Sequence, residues 1–410
     1  MNRALIYITA LLLVIVILPA TSIGNSDSNP PSQPVPINYF GMHIHLTVTA
    51  NGMDPLRPWP SVSIPELRLW DAGVAWPNIE PRRGAWNFNE LDVYLNLAEE
   101  HKTNVLLPIG LSPGWASARP EEPSISRPGI AAEPRDLEDW RTYVTTVATH
   151  CKGRVKGYEI WNEPNLKAYW TGDVDKLILL TREASEIIRR VDPQAIIVSP
   201  SATGSYGTKW LAEFLSKGGG QYVDVIGYHF YVNPAPPEAM VPVIQDVKQI
   251  MNDHGAGGKP LWNTESGWSK PKPFPSDELA AAYLARAYIL NWATGVERLY
   301  WYGWDNHGWV SIETTEADNR TLKPAGKAYG ILQQWLVGSR VVGCSADADH
   351  TWTCELNRRG APRWIVWNVD RTEPFVPPVS WHARRVTPLL EEGHNLTTNI
   401  FISPIPQLIE

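Results

Sequence analysis

The chain is poor in cysteine, with three in 410 residues, and this scarcity excludes a disulfide-rich scaffold. No CxxC pair or Cys/His cluster has the spacing of a zinc site, so neither a structural metal nor another cofactor is expected. Cys344 and Cys354 are close enough in sequence to pair across a hairpin, which would leave Cys151 as an unpaired, buried thiol.

Positive charge is also in short supply. The chain has 36 Lys and Arg against 43 Asp and Glu, which gives a formal net charge of −7. A general nucleic-acid-binding protein needs a basic field to neutralise phosphates, so that class is disfavoured. Charged residues make up 19% of the chain and hydrophobic residues 43%, which is the composition of a folded globular protein rather than a disordered one.

Phenylalanine is the third scarce residue, with 7 copies against 20 Trp and 15 Tyr. Trp and Tyr combine a flat apolar face with one polar group, which suits a wet, concave ligand surface. Sugar rings have apolar C–H faces and polar rims, so saccharides are one natural ligand class. A Trp-rich core is the alternative, and composition alone does not choose between them.

The N-terminus predicts export. An apolar run from Ala4 to Leu18 follows Met1-Asn2-Arg3, and small residues suited to signal peptidase lie before Gly24. Residues 1–24 are therefore predicted to be a signal peptide of a secreted or otherwise extracytoplasmic protein. An uncleaved membrane anchor is the alternative, because the run is near the lower limit for a spanning helix. Residues 25–36 are predicted to be a Pro/Ser-rich linker.

Residues 37–336 alternate short β-rich runs with amphipathic helices. Eight such βα units predict an α/β fold, a closed (β/α)₈ TIM barrel. An open doubly wound sheet is the alternative, which the lack of a GxGxxG turn after the first strand disfavours. The predicted strands are Tyr39–His45, Glu66–Trp70, Asn104–Gly110, Val155–Trp161, Ala195–Ser199, Val223–His229, Pro260–Asn263 and Arg298–Trp304. Residues 337–410 contain short β runs and turns, which predict a small C-terminal antiparallel β-sandwich.

Two short strands that each end in a glutamate give the strongest functional signal. In Gly157–Asn165 (GYEIWNEPN), Pro164 stops further strand pairing and leaves Glu163 at the carboxyl end of the strand. The second segment, Lys259–Trp268 (KPLWNTESGW), has its β run just before Glu265. Barrel enzymes place their chemistry at this face, so we expect the two carboxyls to meet over one pocket. Two opposed carboxyls are the minimal equipment for cleaving a glycosidic bond.

The sequence around these glutamates resembles clan A of the retaining glycoside hydrolases, which carry Trp-Asn-Glu-Pro after strand four and a Glu at the end of strand seven. The longer GYEIWNEPN, followed by Leu166 and Tyr169-Trp170, is similar to glycoside hydrolase family 39. That family contains β-xylosidases, α-L-iduronidases and exopolysaccharide-degrading enzymes. Residues 113–117 (PGWAS) and the trailing β-domain add to the resemblance, which covers about residues 37–400.

The resemblance implies roles for the residues that match. Glu163 is expected to be the general acid/base and Glu265 the nucleophile. Asn162 is expected to bind the 2-hydroxyl of the sugar. Arg68, at the end of the second strand, is expected to keep Glu265 ionised while Glu163 stays protonated. Tyr231 would then donate a hydrogen bond to Glu265.

Further residues match positions expected to line the pocket. His229 is expected to line it or to contact Glu163, with a satisfied core histidine as the alternative. The other expected sugar contacts are His45, Trp301, Trp304 and Trp115. Any one Trp can equally belong to the core. A metal pair formed by His43 and His45 is disfavoured, because the first strand of a barrel hides alternate residues inside.

The sequence therefore predicts a secreted retaining glycoside hydrolase that cleaves an oligo- or polysaccharide by double displacement, without a cofactor. One alternative is a transglycosylase on the same scaffold, in which a second sugar replaces water. Another is a non-catalytic carbohydrate-binding protein, which would have no physical need for two intact carboxyls. No nucleic-acid partner is expected, and membrane contact is expected only if the N-terminal segment stays uncleaved. The loops at residues 269–276 and 308–318 are short and do not identify the sugar.

Overall fold

The computed structural model describes residues 29–46, 57–397 and 399–410. The predicted signal peptide, residues 1–24, and residues 25–28 of the predicted linker lie outside the described residues. Within the described ranges, no helix has both the length and the apolar character needed to cross a bilayer. The last linker residues pack against the folded chain, since Val35 is buried and exchanges backbone hydrogen bonds with Gly338 and Ser339.

A parallel sheet forms the centre of the larger domain. Its strand order is β5-β4-β3-β2-β1-β9-β8-β7-β6. The strands are β1 Phe40–His43, β2 Glu66–Arg68, β3 Asn104–Ile109, β4 Gly157–Ile160, β5 Ile196–Val198, β6 Ala202–Thr203, β7 Ile226–His229, β8 Leu261–Ser266 and β9 Val296–Trp301.

The two edges of this sheet meet, so it closes into a barrel. β5 and β6 are two segments of one barrel strand, because three residues separate them, β5 pairs with β4 and β6 pairs with β7. Val198 bridges Val225 in parallel, and the Ser199 amide donates to the Val225 carbonyl at 3.0 Å. The predicted eight-stranded TIM barrel is therefore confirmed, with β7, β8 and β9 as its sixth, seventh and eighth strands.

Helices cover the outside of the barrel. They are α1 Trp76–Ile79, α2 Asn89–Glu100, α3 Leu137–His150, α4 Val174–Val191, α5 Gly207–Ser216, α6 Met240–Asp253, α7 Asp277–Ala293 and α8 Pro324–Leu336, with 3₁₀ turns at Ile37–Tyr39, Gly219–Tyr222, Pro237–Ala239 and Val379–Trp381. Among the described residues, seven of the eight barrel strands are followed by a helix. The described residues between β1 and β2, 44–46 and 57–65, form no helix, and residues 47–56 of this first predicted βα unit lie outside the described residues.

Local sequence explains where the longer helices begin. Asp136, Asp173 and Ser276 cap α3, α4 and α7 by accepting a hydrogen bond from an amide in the first turn. α7 is buried on almost every side, because the barrel covers one face and the C-terminal domain packs on another. Such a helix needs apolar residues all round and shows little amphipathic pattern.

The C-terminal domain is antiparallel, as predicted. A six-stranded sheet has the order β10-β11-β12-β17-β14-β15 and a two-stranded sheet pairs β13 with β16. The strands are β10 Arg340–Ala346, β11 Thr351–Arg358, β12 Ala361–Asn368, β13 Glu373–Phe375, β14 Arg385–Pro388, β15 His394–Asn395, β16 Ile400–Ile402 and β17 Gln407–Ile409. Cys344 and Cys354 face each other on β10 and β11 and form a disulfide, and Cys151 is a buried free thiol.

One strand boundary differs in a way that matters for the site. Pro260–Asn263 was the predicted seventh strand, but β8 continues to Ser266, so Glu265 lies within the strand. The pairing of β8 is irregular on both sides. Its register with β7 shifts just before the His229–Glu265 pair, and its register with β9 shifts just before the Ser266–Trp301 pair. A β-bulge of this kind changes the direction of a side chain, and a short apolar sequence does not predict it.

Gly41 of β1 pairs with Tyr300 of β9 without room for a side chain, and its replacement is expected to destabilise the barrel. A Cβ at Gly41 would lie 2.5 Å from Tyr300 Cδ1 and 2.9 Å from the Leu299 carbonyl oxygen. Gly41→Ala should lower the free energy of unfolding by about 1–3 kcal/mol, the usual cost of overpacking. Gly114→Ala is the matched control, because its Cβ would meet open space. Equal urea midpoints for the two variants would contradict this account.

Candidate active site

Glu163 and Glu265 come together at the carboxyl end of the barrel. Glu163 follows β4 on a turn in which Trp161 has φ +73° and Glu163 has φ +44°, and its amide donates to the Ser201 carbonyl at 2.9 Å. Non-glycine residues in this left-handed region carry backbone strain, which folds retain mainly at functional sites. One carboxylate oxygen of each glutamate and one ring nitrogen of His229 lie within 4.8 Å of one another.

A fully buried arginine fixes the second carboxylate. Arg68, the last residue of β2, donates from Nη1 to Glu265 at 2.7 Å and from Nη2 to the Asn162 side-chain oxygen at 2.8 Å. Its Nε donates to Glu159 at 2.5 Å. The planar guanidinium of Arg68 thus holds three side chains in one arrangement. An ammonium group lacks this fixed set of donors and would position them less well.

Glu159 is the functional partner that sequence reasoning missed. It is wholly buried inside the barrel on β4 and also accepts hydrogen bonds from the hydroxyls of Ser201 and Thr264. A buried carboxylate must be paired or hydrogen-bonded, so its presence in the middle of an apolar strand is itself a signal that a buried cation faces it.

Two side chains from β7 and the residues after it complete the contacts of the carboxyl pair. The Tyr231 hydroxyl donates to Glu265 Oε1 at 2.9 Å, as the resemblance implied. His229 Nδ1 lies 2.9 Å from Glu163 Oε1, while its Nε2 has no hydrogen-bond partner among the described residues. Glu265 therefore receives two donors that favour a negative charge, and Glu163 is held by an imidazole.

Burial is the main influence on the acidity of Glu265. Burial raises the pKa of Glu265 above its ordinary value, and negative charge on Glu163 and Asp71 acts in the same direction. His229 and Arg68 oppose this increase. The hydrogen bond from Arg68 stabilises the ionised form of Glu265 against burial and the neighbouring negative charges.

A cavity of about 590 Å³ opens above the two carboxyls. Aromatic side chains dominate its wall, and three of the residues at its rim, Ile125, Tyr206 and Trp309, are strongly exposed. The lining residues are Trp70, Asp71, Leu111, Ile125, Ser126, Ile130, Glu163, Leu166, Tyr169, Thr203, Tyr206, Tyr231, Asn233, Glu265, Tyr302 and Trp309. Its size suits a small organic ligand, and its aromatic faces suit sugar rings.

An ion-pair network holds the loop that supplies one wall of this cavity. Arg119 forms two hydrogen bonds with Glu133, at 3.0 and 2.8 Å, and one with Glu122 at 2.7 Å. Burial acts to raise the pKa of Glu133, but hydrogen bonds from Arg119 and Lys176 outweigh it and hold the pKa at about 2. The network therefore stays charged at neutral pH and keeps Ile130 of this loop against the cavity.

Four predicted sugar contacts lie outside this lining. Trp301 is fully buried and stacks on Trp268 and Tyr288, and Trp304 is also buried in the core. Sugar contacts by Trp301 and Trp304 remain a prediction, and the buried positions of both side chains do not support it. The neighbouring residue Tyr302 lines the cavity instead, because successive strand residues face opposite sides.

The other two residues of this set, His45 and Trp115, do not line the cavity themselves. The His45 ring packs on Tyr302 with centroids 4.6 Å apart, and its backbone amide donates to Asp305 at 2.8 Å. His45 therefore supports a residue of the cavity wall. Trp115 Nε1 donates to the Glu80 carbonyl at 2.9 Å, so its ring faces the α1 side of the loop.

Glu163, His229 and Glu265 are the group in the described part of the chain whose ligand atoms are close enough to hold a metal ion. The adjacent Arg68 guanidinium already neutralises Glu265 at 2.7 Å and would repel a cation. The arrangement is better suited to proton transfer and nucleophilic attack than to metal coordination.

Comparisons with known proteins agree with this geometry. Residues 71–297 match the model of the family described as Glycosyl hydrolases family 39, a span that contains both glutamates. A β-xylosidase of Geobacillus stearothermophilus is 25% identical over 186 residues, which is 38% of this chain and 37% of that protein. The chain thus matches little more than a third of the length of that relative.

Solved structures show the same architecture. A glucosidase from Croceicoccus marinus superposes with a TM-score of 0.67 at 15% identity, covering 94% of this chain and 97% of that one. A family 39 β-xylosidase from Caulobacter crescentus gives 0.65 at 16% identity, covering 93% and 97%. At such low identity these likenesses concern the fold, a barrel with a C-terminal antiparallel domain.

The Tyr231 contact predicts the direction in which Glu265 titrates. A hydroxyl that donates to a carboxylate stabilises the charged form, so Tyr231→Phe should raise the pKa of Glu265 further above the ordinary glutamate value of about 4.3. NMR titration of ¹³C-labelled glutamate carboxyls, assigned with Glu265→Gln, measures the shift. Tyr206→Phe is the control, because Tyr206 lines the same cavity without contacting Glu265. A lower pKa in Tyr231→Phe would refute the assignment.

Proposed function

Since this chain belongs to Glycosyl hydrolases family 39 and is a glycoside hydrolase, we propose that it is a retaining enzyme that works by double displacement. The observation that supports retention is the gap between the two carboxyls, whose nearest described atoms lie within 4.8 Å. Retaining enzymes hold their carboxyl groups about 5–5.5 Å apart, whereas inverting enzymes leave about 6.5–9.5 Å for a water molecule.

In the first step, Glu265 attacks the anomeric carbon and Glu163 protonates the departing glycosidic oxygen. The C–O bond to the leaving group breaks, a C–O bond to Glu265 forms, and the proton of Glu163 leaves with the aglycone. Arg68 and Tyr231 hold the attacking carboxylate in place with hydrogen bonds of 2.7 and 2.9 Å. Positioning of this kind removes much of the entropic barrier of the reaction.

In the second step, Glu163 has lost its proton and acts as a base. It takes a proton from a water molecule, whose oxygen attacks the anomeric carbon and releases Glu265. Each attack inverts the anomeric carbon, so two attacks restore its configuration. Nδ2 of Asn162 has no hydrogen-bond partner among the described residues, so it can donate a hydrogen bond to the sugar 2-hydroxyl. This contact strengthens as oxocarbenium character develops.

The substrate we propose is an oligo- or polysaccharide with β-linked sugars. The matching relative is a β-xylosidase, and the cavity offers aromatic faces at Trp70, Tyr169, Tyr302 and Trp309 on which a sugar ring can pack. These faces bind the C–H surface of a pyranose without selecting a particular sugar.

We also propose that the protein acts outside the cytoplasm, after removal of residues 1–24. The support is the sequence of that segment, an apolar run followed by small residues. In a bacterial host, the exported protein should have its N-terminus between about residues 22 and 25, read by mass spectrometry of the N-terminal peptide. An intact Met1 on exported, membrane-bound protein would contradict cleavage.

The mechanism is tested by replacing each glutamate with alanine and assaying the variants in the presence of azide. Glu265→Ala should lose at least about a thousandfold in kcat/KM, the scale seen when one component of a catalytic unit is removed. Added azide should then occupy the vacated space and give a glycosyl azide of inverted configuration. Glu163→Ala should retain activity on a substrate with a good leaving group, and azide should give the product of retained configuration.

The matched control is Glu186→Ala, an exposed carboxylate on α4 that does not line the cavity. It should leave both the rate and the stereochemistry unchanged. Substrates for the assay are 4-nitrophenyl β-xyloside and β-glucoside, with products identified by ¹H NMR. The proposed roles are wrong if both glutamate variants give azides of the same configuration, or if Glu265→Ala turns over at the wild-type rate.

A further inference from the structure

Asp71 is a third carboxylate in the wall of the catalytic cavity, and the double displacement does not use it. It lies three residues after Arg68, beyond the end of β2, and lines the cavity of about 590 Å³ together with both glutamates. It also lines an adjoining cavity of about 240 Å³, so it lies at the boundary between the two spaces. Its side chain is exposed to solvent within this wall.

Tyr302, which lines the same cavity, holds Asp71 in place. The Asp71 backbone has φ +56°, a left-handed conformation that Asp tolerates better than most residues. The Tyr302 hydroxyl donates to Asp71 Oδ2 at 2.8 Å, and Asn306 Nδ2 donates to that hydroxyl at 2.9 Å. Oδ1 accepts no hydrogen bond from any described residue. One oxygen is therefore fixed by the protein and the other is left for a donor from the cavity.

The charged side chains that line the catalytic cavity itself have one sign, while Arg127 lines the adjoining cavity of about 240 Å³. The charged residues of the catalytic cavity's lining are Asp71, Glu163 and Glu265, without a lysine or arginine among the described residues that form it. Arg68 lies behind Glu265, fully buried, with its donors committed to protein acceptors. A ligand in this cavity thus meets carboxylates that outnumber accessible cations, and a low-dielectric wall strengthens their field.

We propose that Asp71 determines substrate specificity, by accepting a hydrogen bond from a hydroxyl of an uncharged sugar and repelling sugars that carry a carboxylate. The inference rests on the proposed hydrolysis and names its substrate class, neutral glycosides rather than uronides. A sugar hydroxyl supplies the donor that Asp71 Oδ1 lacks. A uronate presents a negatively charged acceptor instead of a donor. Asp71 Oδ1 then stays unpaired, and the carboxylates of the uronate and of the cavity repel each other.

The test compares two substrates that differ at one carbon. 4-Nitrophenyl β-glucoside carries CH₂OH where 4-nitrophenyl β-glucuronide carries a carboxylate. At neutral pH, the wild type should prefer the glucoside, and Asp71→Asn should reduce the ratio of kcat/KM values by about tenfold, as expected for removing one nearby charge from a partly solvated site. Asn keeps the shape and an oxygen for Tyr302. Raising the salt concentration should reduce the preference in the wild type more than in the variant.

Asp253→Asn is the control, because Asp253 is an exposed residue at the end of α6, on the opposite face of the barrel. It should leave the ratio unchanged. A purely structural role for Asp71 would lower both kcat/KM values equally, so an unchanged ratio in Asp71→Asn overturns the inference while hydrolysis still stands. A wild-type preference for the glucuronide overturns it as well. Failure to cleave any glycoside, by contrast, overturns the proposed function and this inference with it.

Discussion

The buried guanidinium of Arg68 is the interaction on which the active site depends. Moving an arginine into the interior costs several kcal/mol unless acceptors surround it, and here Glu159, Glu265 and Asn162 accept at 2.5, 2.7 and 2.8 Å. The same cation therefore compensates Glu159 inside the barrel and orients Glu265, the proposed nucleophile, at its mouth. Loss of either carboxylate would leave the buried guanidinium with one counter-charge instead of two, so the geometry of the site and folding are linked at this point.

The barrel makes that link possible because it brings strand ends from distant parts of the chain to one face. Arg68 comes from the second strand, Glu163 follows the fourth and Glu265 belongs to the seventh. Closure through Val198 and Val225 fixes the distance across the ring, and the left-handed turn at Glu163 points its carboxyl toward the centre. The strain of that turn is sustained by the surrounding sheet rather than by local sequence.

Strand ends read from the sequence predict that Glu163 and Glu265 meet over one pocket, because a barrel places the carboxyl ends of its strands at one face. The positions of Arg68 and Tyr231 were implied by the family resemblance, and the structure places both in contact with Glu265. Trp301 shows the limit of that argument. Trp301 and Tyr302 are adjacent and face opposite sides, and the sequence does not show which of the two faces the cavity.

The wall of the cavity was the least predictable part. Tyr169, Tyr206, Asp71 and Trp309 lie in loops, where neither periodicity nor a strand end fixes a side chain, and their roles emerge when four loops meet. The abundance of Trp has the same explanation. Trp70 and Trp309 line the cavity, while Trp76, Trp140 and Trp292 fill the core, so both interpretations of the composition hold in different parts of the molecule.

The negative charge of the cavity links catalysis to substrate choice. Burial and the negative charges on Glu163 and Asp71 raise the pKa of Glu265, while His229 and Arg68 oppose the increase. A uronate in the cavity would add another negative charge near Glu265 and raise its pKa further, whereas the proposed nucleophile acts as a carboxylate. An uncharged substrate avoids this conflict, so the charges around the two glutamates fit the neutral substrate proposed above.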